Sequence, residues 1–81
     1  MNTLHIHGKG EVQYRDPTGE EMGKYSLMLT PRGDADTDAM RTVLAFYDLG
    51  RAVIDGPADD LTCVMVGRKL LERTLEGLGL D

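Results

Sequence analysis

The chain has no tryptophan, a single phenylalanine and a single cysteine. With aromatics this scarce, Leu, Val and Met must fill the core, and Met22, Met28, Met40 and Met65 read as its flexible gap-fillers. Cys63 alone cannot build an internal disulfide framework and suits a reducing compartment. The start, Met1-Asn2-Thr3-Leu4-His5, lacks a basic region followed by an apolar run, so no signal peptide is expected. The longest apolar stretch, Cys63-Val64-Met65-Val66, is far too short to span a bilayer. These absences together point to a soluble, cytoplasmic protein.

Positive charge is scarce in one place only. Between Asp34 and Asp60 the chain carries seven aspartates (Asp34, Asp36, Asp38, Asp48, Asp55, Asp59, Asp60) against Arg41 and Arg51, while acids and bases balance on either side. The formal charge of −5 therefore sits in the middle third. A localised acidic face repels nucleic-acid and membrane phosphates and steers basic partners toward itself.

Eighty-one residues make one small globular domain, residues 1–81. Such a chain buries only about 60–65% of the surface its unfolded form exposes, enough for one modest core and rarely a deep pocket.

Residues 4–15 alternate, with Leu4, Ile6, Gly8, Gly10, Val12 and Tyr14 on one side and His5, His7, Lys9, Glu11, Gln13 and Arg15 on the other. A period of two predicts one long half-buried strand, with Gly8 and Gly10 letting a helix approach closely. Asp16-Pro17-Thr18-Gly19 has the preferences of a type I turn, leading to a second strand through Tyr25, Leu27 and Leu29 that ends at Pro31. Met40, Val43, Leu44, Tyr47 and Ile54 then follow helical spacing and predict the core face of a helix. Asp36 or Thr37 would cap it, and Gly50 would kink or end it. Leu61–Val66, apolar and rich in β-branched residues, predicts a buried third strand. A last helix follows Gly67, with Leu70, Leu71, Leu75 and Leu78 on one face and Gly77 or Gly79 as stops. The order β-β-α-β-α predicts an α+β fold with a three-stranded mixed sheet, order 2-1-3, and both helices on one face.

His5 and His7, two residues apart on a strand, would share a face with α-carbons ~6.6 Å apart and could reach one metal. His5-Ile6-His7-Gly8 is similar, over these four residues, to the His-x-His on the first strand of metal-dependent amidohydrolases. That resemblance implies a barrel enzyme with further His and Asp ligands. This chain has no third His, and on a continuous strand Glu11 would lie ~13 Å beyond His7. Asp34-Ala35-Asp36-Thr37-Asp38 mimics the start of a calcium loop, but Ala39 and Ala45 stand where an EF-hand needs Gly and Glu. Gly8-Lys9-Gly10 lacks the length and ending of a phosphate loop. Cys63, in a buried run, reads as an inert thiol. No catalytic residue, metal site or cofactor is assigned.

By elimination the sequence describes a small acidic, non-enzymatic binding protein. Its partner would be a protein with a basic surface, engaged through the seven aspartates. Such partners include nucleic-acid-processing proteins, and small phage inhibitors such as anti-CRISPR proteins are similar in size and charge. The alternatives are a metal-dependent enzyme or metal-binding protein built on His5 and His7, and a structural subunit that forms a homodimer through the edge of the second strand.

Overall fold

The N-terminal alternation is real, but the strand folds back on itself. The computed structural model describes residues 1–77, with side chains through Glu72. It has two antiparallel strands, β1 (Asn2–Ile6) and β2 (Gly10–Tyr14), then helices α1 (Gly19–Met28), α2 (Ala35–Val53) and α3 (Asp60–Gly77). The Lys9 N–H donates to the Ile6 carbonyl at 2.9 Å, and Gly8 at the third turn position has φ +81°. A positive φ there is the mark of a type II turn and is why a glycine stands at residue 8. Gly8 and Gly10 face open space, so their role is in the turn and not in admitting a helix. Register runs from Asn2 opposite Tyr14 to Ile6 opposite Gly10. Ile6 and Tyr14 are buried and Leu4 and Val12 half-buried on the helix side, while Thr3, His5, Glu11 and Gln13 face solvent.

The architecture is α+β, but the expected three-stranded sheet of order 2-1-3 with two helices is not what forms. The expected second strand is helix α1. Its signal is a capping box that resembles turn chemistry in sequence: the Glu21 N–H donates to the Thr18 hydroxyl at 3.1 Å, and the Thr18 N–H to the Glu21 carboxylate at 2.9 Å. Met22, Tyr25 and Leu29, at spacings of three and four, face the core, and Leu27 lies exposed. Alternate apolar residues in 25–29 fit a period of two only by coincidence.

The expected third strand, 61–66, is the start of α3. The Asp59 carboxylate accepts from the Thr62 N–H at 2.8 Å, and the Cys63 N–H closes the first turn on the Asp59 carbonyl at 3.1 Å. Cys63, Val66 and Leu71 are buried at helical spacing. Gly67 does not separate a strand from a helix; it lies inside one helix. The side chain of Leu75, and Leu78 and Gly79 altogether, lie outside what the structure describes of the expected apolar face and stop. A remnant of a third strand survives after α2, where Ile54 makes an isolated antiparallel bridge to Tyr14.

Two glycines set the helix packing. A Cβ on Gly50 would stand 1.8 Å from the Cys63 carbonyl oxygen, and one on Gly67 would stand 1.8 Å from that of Phe46. α2 and α3 therefore meet backbone to backbone, and Gly50 does not end α2, which runs on to Val53. The core gathers around this seam: Tyr14, Tyr25, Leu29, Ala45, Phe46, Leu49, Val53, Val66 and Leu71.

Candidate functional site

The seven aspartates do not form one patch. The 19 residues of α2 span about 28 Å, with Asp34, Asp36 and Asp38 at one end and Asp55 at the other, where the chain leads on to Asp59 and Asp60. Three of the seven are occupied within the fold. Asp34 caps α2, accepting from the N–H groups of Asp36 at 3.1 Å and Thr37 at 3.2 Å. Asp38 accepts from the N–H groups of Arg32 and Gly33, and from the Arg41 guanidinium, which also reaches the Thr30 carbonyl at 3.2 Å. Partial burial pushes the Asp38 carboxyl up, but these donors outweigh it and hold the group below the usual carboxylate range. Asp59 caps α3 and pairs with Lys9 of the hairpin turn; Lys9 first, then Thr62, holds its carboxyl well below the usual range.

The other four carboxylates, Asp36, Asp48, Asp55 and Asp60, are exposed and have no hydrogen-bond or ion-pair partner among the described residues. Of the seven aspartates, these four are available to another molecule.

Met40, Val43, Leu44 and Tyr47, expected on the core side of α2, lie on its outside, whereas Ile54 packs against the core. Met40 is 66% exposed, Val43 51% and Leu44 45%, with Tyr47 half-buried beside them. The buried stripe is Ala45, Phe46, Leu49, Gly50 and Val53, because only a face with Ala and Gly lets α3 approach so closely. Sequence reasoning missed the outer stripe as a surface. The available signal was that α2 carries two apolar stripes, of which one alone contains small residues.

Helical geometry joins the stripe to the free acids. Asp36, Met40, Leu44 and Asp48 lie at i, i+4, i+8 and i+12, one row along α2. The row begins and ends on an unpaired carboxylate, with two exposed apolar side chains between. Val43 adjoins it and also lines a cleft of about 430 Å³ with Leu29, Pro31, Thr42, Phe46 and Arg68.

The histidines are separated by the turn. His5 is on β1, and its Nδ1 lies 3.3 Å from the Glu11 carboxylate across the ladder, whereas His7 is in the turn. The fold-back at Gly8 brings to His5 the Glu11 that a continuous strand would have kept distant. Imidazoles at 5 and 7 thus do not share a strand face, and no group of three His, Cys, Asp or Glu side chains converges among the described residues. Cys63 is buried in the α2–α3 seam. Tyr14 and Tyr25 are buried, leaving the outer sheet face without the aromatics on which bases stack. No helix among the described residues is long and apolar enough to cross a membrane. Compared with known proteins, the chain matches no family model, no curated protein sequence and no solved structure.

Proposed function

We propose that the protein is a small, non-enzymatic binding protein whose helix α2 docks into an apolar groove with basic rims on another protein. The observation that carries this reading is the row Asp36–Met40–Leu44–Asp48, an exposed apolar centre closed at both ends by unpaired carboxylates. Apolar residues at the centre of an interface supply the affinity, and charges at its rim set orientation and speed of encounter. Twelve residues of helix place the two carboxylates about 18 Å apart, which sets the spacing of the basic groups on the partner. An amphipathic helix laid in a groove is a recurring mode of recognition.

Nucleic-acid-processing proteins carry basic grooves, and occupying one excludes DNA or RNA. An inhibitor of that kind, similar in size and charge to small anti-CRISPR proteins, is the form of the function we infer, acting in the cytoplasm. The partner reading keeps Asp36, Asp48, Asp55 and Asp60 as contact residues and gives Asp34, Asp38 and Asp59 to the fold.

Affinity capture from a lysate, with mass spectrometry, tests it when three baits are compared. The wild type should retain a basic protein that Leu44→Glu loses, and that Asp36→Asn/Asp48→Asn retains less well and less sensitively to salt. A retained set indifferent to both changes and to salt overturns the reading.

A further inference from the structure

The two edges of the hairpin differ. The outer edge of β2 is covered at its C-terminal end by the last residue of α2 and the chain that follows: the Arg15 N–H donates to the Val53 carbonyl at 3.0 Å, and the Asp55 N–H to the Gln13 carbonyl at 2.9 Å. These bonds show that odd-numbered residues of β2 point their backbone groups away from β1. In an antiparallel ladder the even-numbered pairs, Asn2–Tyr14, Leu4–Val12 and Ile6–Gly10, are then the bonded ones. The N–H and C=O groups of Thr3 and His5 consequently point outward from β1, and nothing among the described residues pairs with them.

This open edge carries none of the usual guards. Asn2-Thr3-Leu4-His5-Ile6 has no proline, no lysine and no bulge, since its pairing with β2 is one to one. Beside it on the helix side, half-buried Leu4 borders a shallow cleft with Met65 of α3, and exposed Leu61 lies one turn before Met65. The rim of that cleft, Arg68, Lys69 and Glu72, carries both signs of charge.

We propose that β1 is a dimer edge, to which a second copy of the chain adds its own β1 antiparallel, making a four-stranded sheet. The occupant follows from self-complementarity. With a two-fold axis at Leu4, Thr3 stands opposite the partner's His5, and the outward N–H and C=O groups of both residues are satisfied on both chains. Leu4 then faces its own copy as a non-hydrogen-bonded pair, the closer of the two pair types, with α-carbons about 4.5 Å apart. That juxtaposition joins the two Leu4–Met65 strips into one apolar surface. The outer edge of β2 is occupied by residues 53–55 at Gln13 and Arg15, which obstructs continuous growth of the sheet beyond two copies. The proposal is independent of the α2 reading, which uses a different surface.

Sedimentation velocity over a concentration series is the test. The wild type should reach twice the 8.9 kDa chain mass. Thr3→Pro removes an outward N–H without touching the β1–β2 ladder, and proline is tolerated on an edge facing solvent. It should halve the mass at unchanged circular dichroism, whereas Leu44→Glu should leave the dimer intact. Should Thr3→Pro fail to fold, amide exchange in the wild type decides: Thr3 and His5 N–H groups protected increasingly with concentration support the edge. A wild type that stays monomeric, a dimer that persists in folded Thr3→Pro, or Thr3 and His5 amides that exchange fast at every concentration would overturn it.

Discussion

Gly67 lies so close to Phe46 that a single added methyl group would stand 1.8 Å from the Phe46 carbonyl oxygen. Gly50 stands in the same relation to Cys63, one helical turn along each partner, so the two helices lock reciprocally. In an ordinary helix interior Gly→Ala is favourable, because glycine costs about 0.5–1 kcal/mol there relative to alanine. At Gly50 and Gly67 the sign should reverse, since the obstacle is backbone and cannot rotate away. Either substitution forces α2 and α3 apart and should cost about 1–3 kcal/mol or more, as overpacking does. Gly23 of α1 faces open space and is the control: Gly23→Ala should stabilise by about 0.5–1 kcal/mol. Urea denaturation midpoints of the three variants check both signs, and destabilisation at Gly23 equal to that at Gly67 would disprove the packing account.

The two apolar stripes of the helix pair should respond differently to truncation. Leu71 is fully buried in the core, so Leu71→Ala should cost about 2–5 kcal/mol. Leu44 is 45% exposed on the outer stripe, and Leu44→Ala should change stability by no more than about 0.5 kcal/mol. Equal losses at the two positions would mean that the outer stripe is covered.

The sequence made the hairpin face, the existence of α2 and the burial of Leu71 legible. It misassigned elements wherever two periods coexisted. Tyr25, Leu27 and Leu29 satisfy a strand, while Met22, Tyr25 and Leu29 satisfy a helix; the Thr18–Glu21 capping box, not propensity, decides between them. Leu61–Val66 is β-branched enough for a strand, but Asp59 opens it as a helix and tertiary packing overrides propensity. Both seam glycines read as punctuation because a lone sequence does not distinguish a break from a close approach. The acidic segment was legible as composition, yet which aspartates are free was not, since capping and ion pairing are settled in three dimensions.

Acid stability should report one of those pairings. Arg15 grips Glu21 through two hydrogen bonds, 2.8 and 2.9 Å, and also reaches the Ala52 carbonyl at 3.2 Å, tying the hairpin to α1 and α2. Arg15 first, with the Thr18 N–H adding to it, holds the Glu21 carboxyl down from 4.5 to about 2. The unfolded chain therefore binds a proton at Glu21 that the folded chain refuses. The stabilisation is complete above pH 4.5 and is lost as pH falls through about 2. Asp38 and Asp59, also lowered, act with the same sign. Glu21→Gln preserves the capping-box acceptor but not the charge, so its melting temperature should fall less steeply than that of the wild type over this window. Parallel curves would show that the Arg15–Glu21 pair contributes nothing.

Neutralising the aspartates should divide them into two groups. Asp38→Asn and Asp59→Asn each remove a charge that holds a basic side chain, Arg41 in one case and Lys9 in the other, and should lower stability. Asp36→Asn, Asp48→Asn and Asp60→Asn change exposed, unpaired carboxylates and should leave the unfolding free energy within about 0.5 kcal/mol of the wild type. Their effect belongs to association instead. Complementary charges at a rim chiefly speed encounter, so with the captured partner immobilised the Asp36→Asn/Asp48→Asn variant should bind with a slower on-rate and a nearly unchanged off-rate. The difference from wild type should shrink as added salt screens charges over about 8–10 Å. Leu44→Glu, which places a charge in the apolar centre, should act mainly through a faster off-rate. If neutralisation of Asp36 and Asp48 leaves the on-rate unchanged while neutralisation of Asp55 and Asp60 slows it, the docking surface lies at the C-terminal end of α2 and not along its outer row.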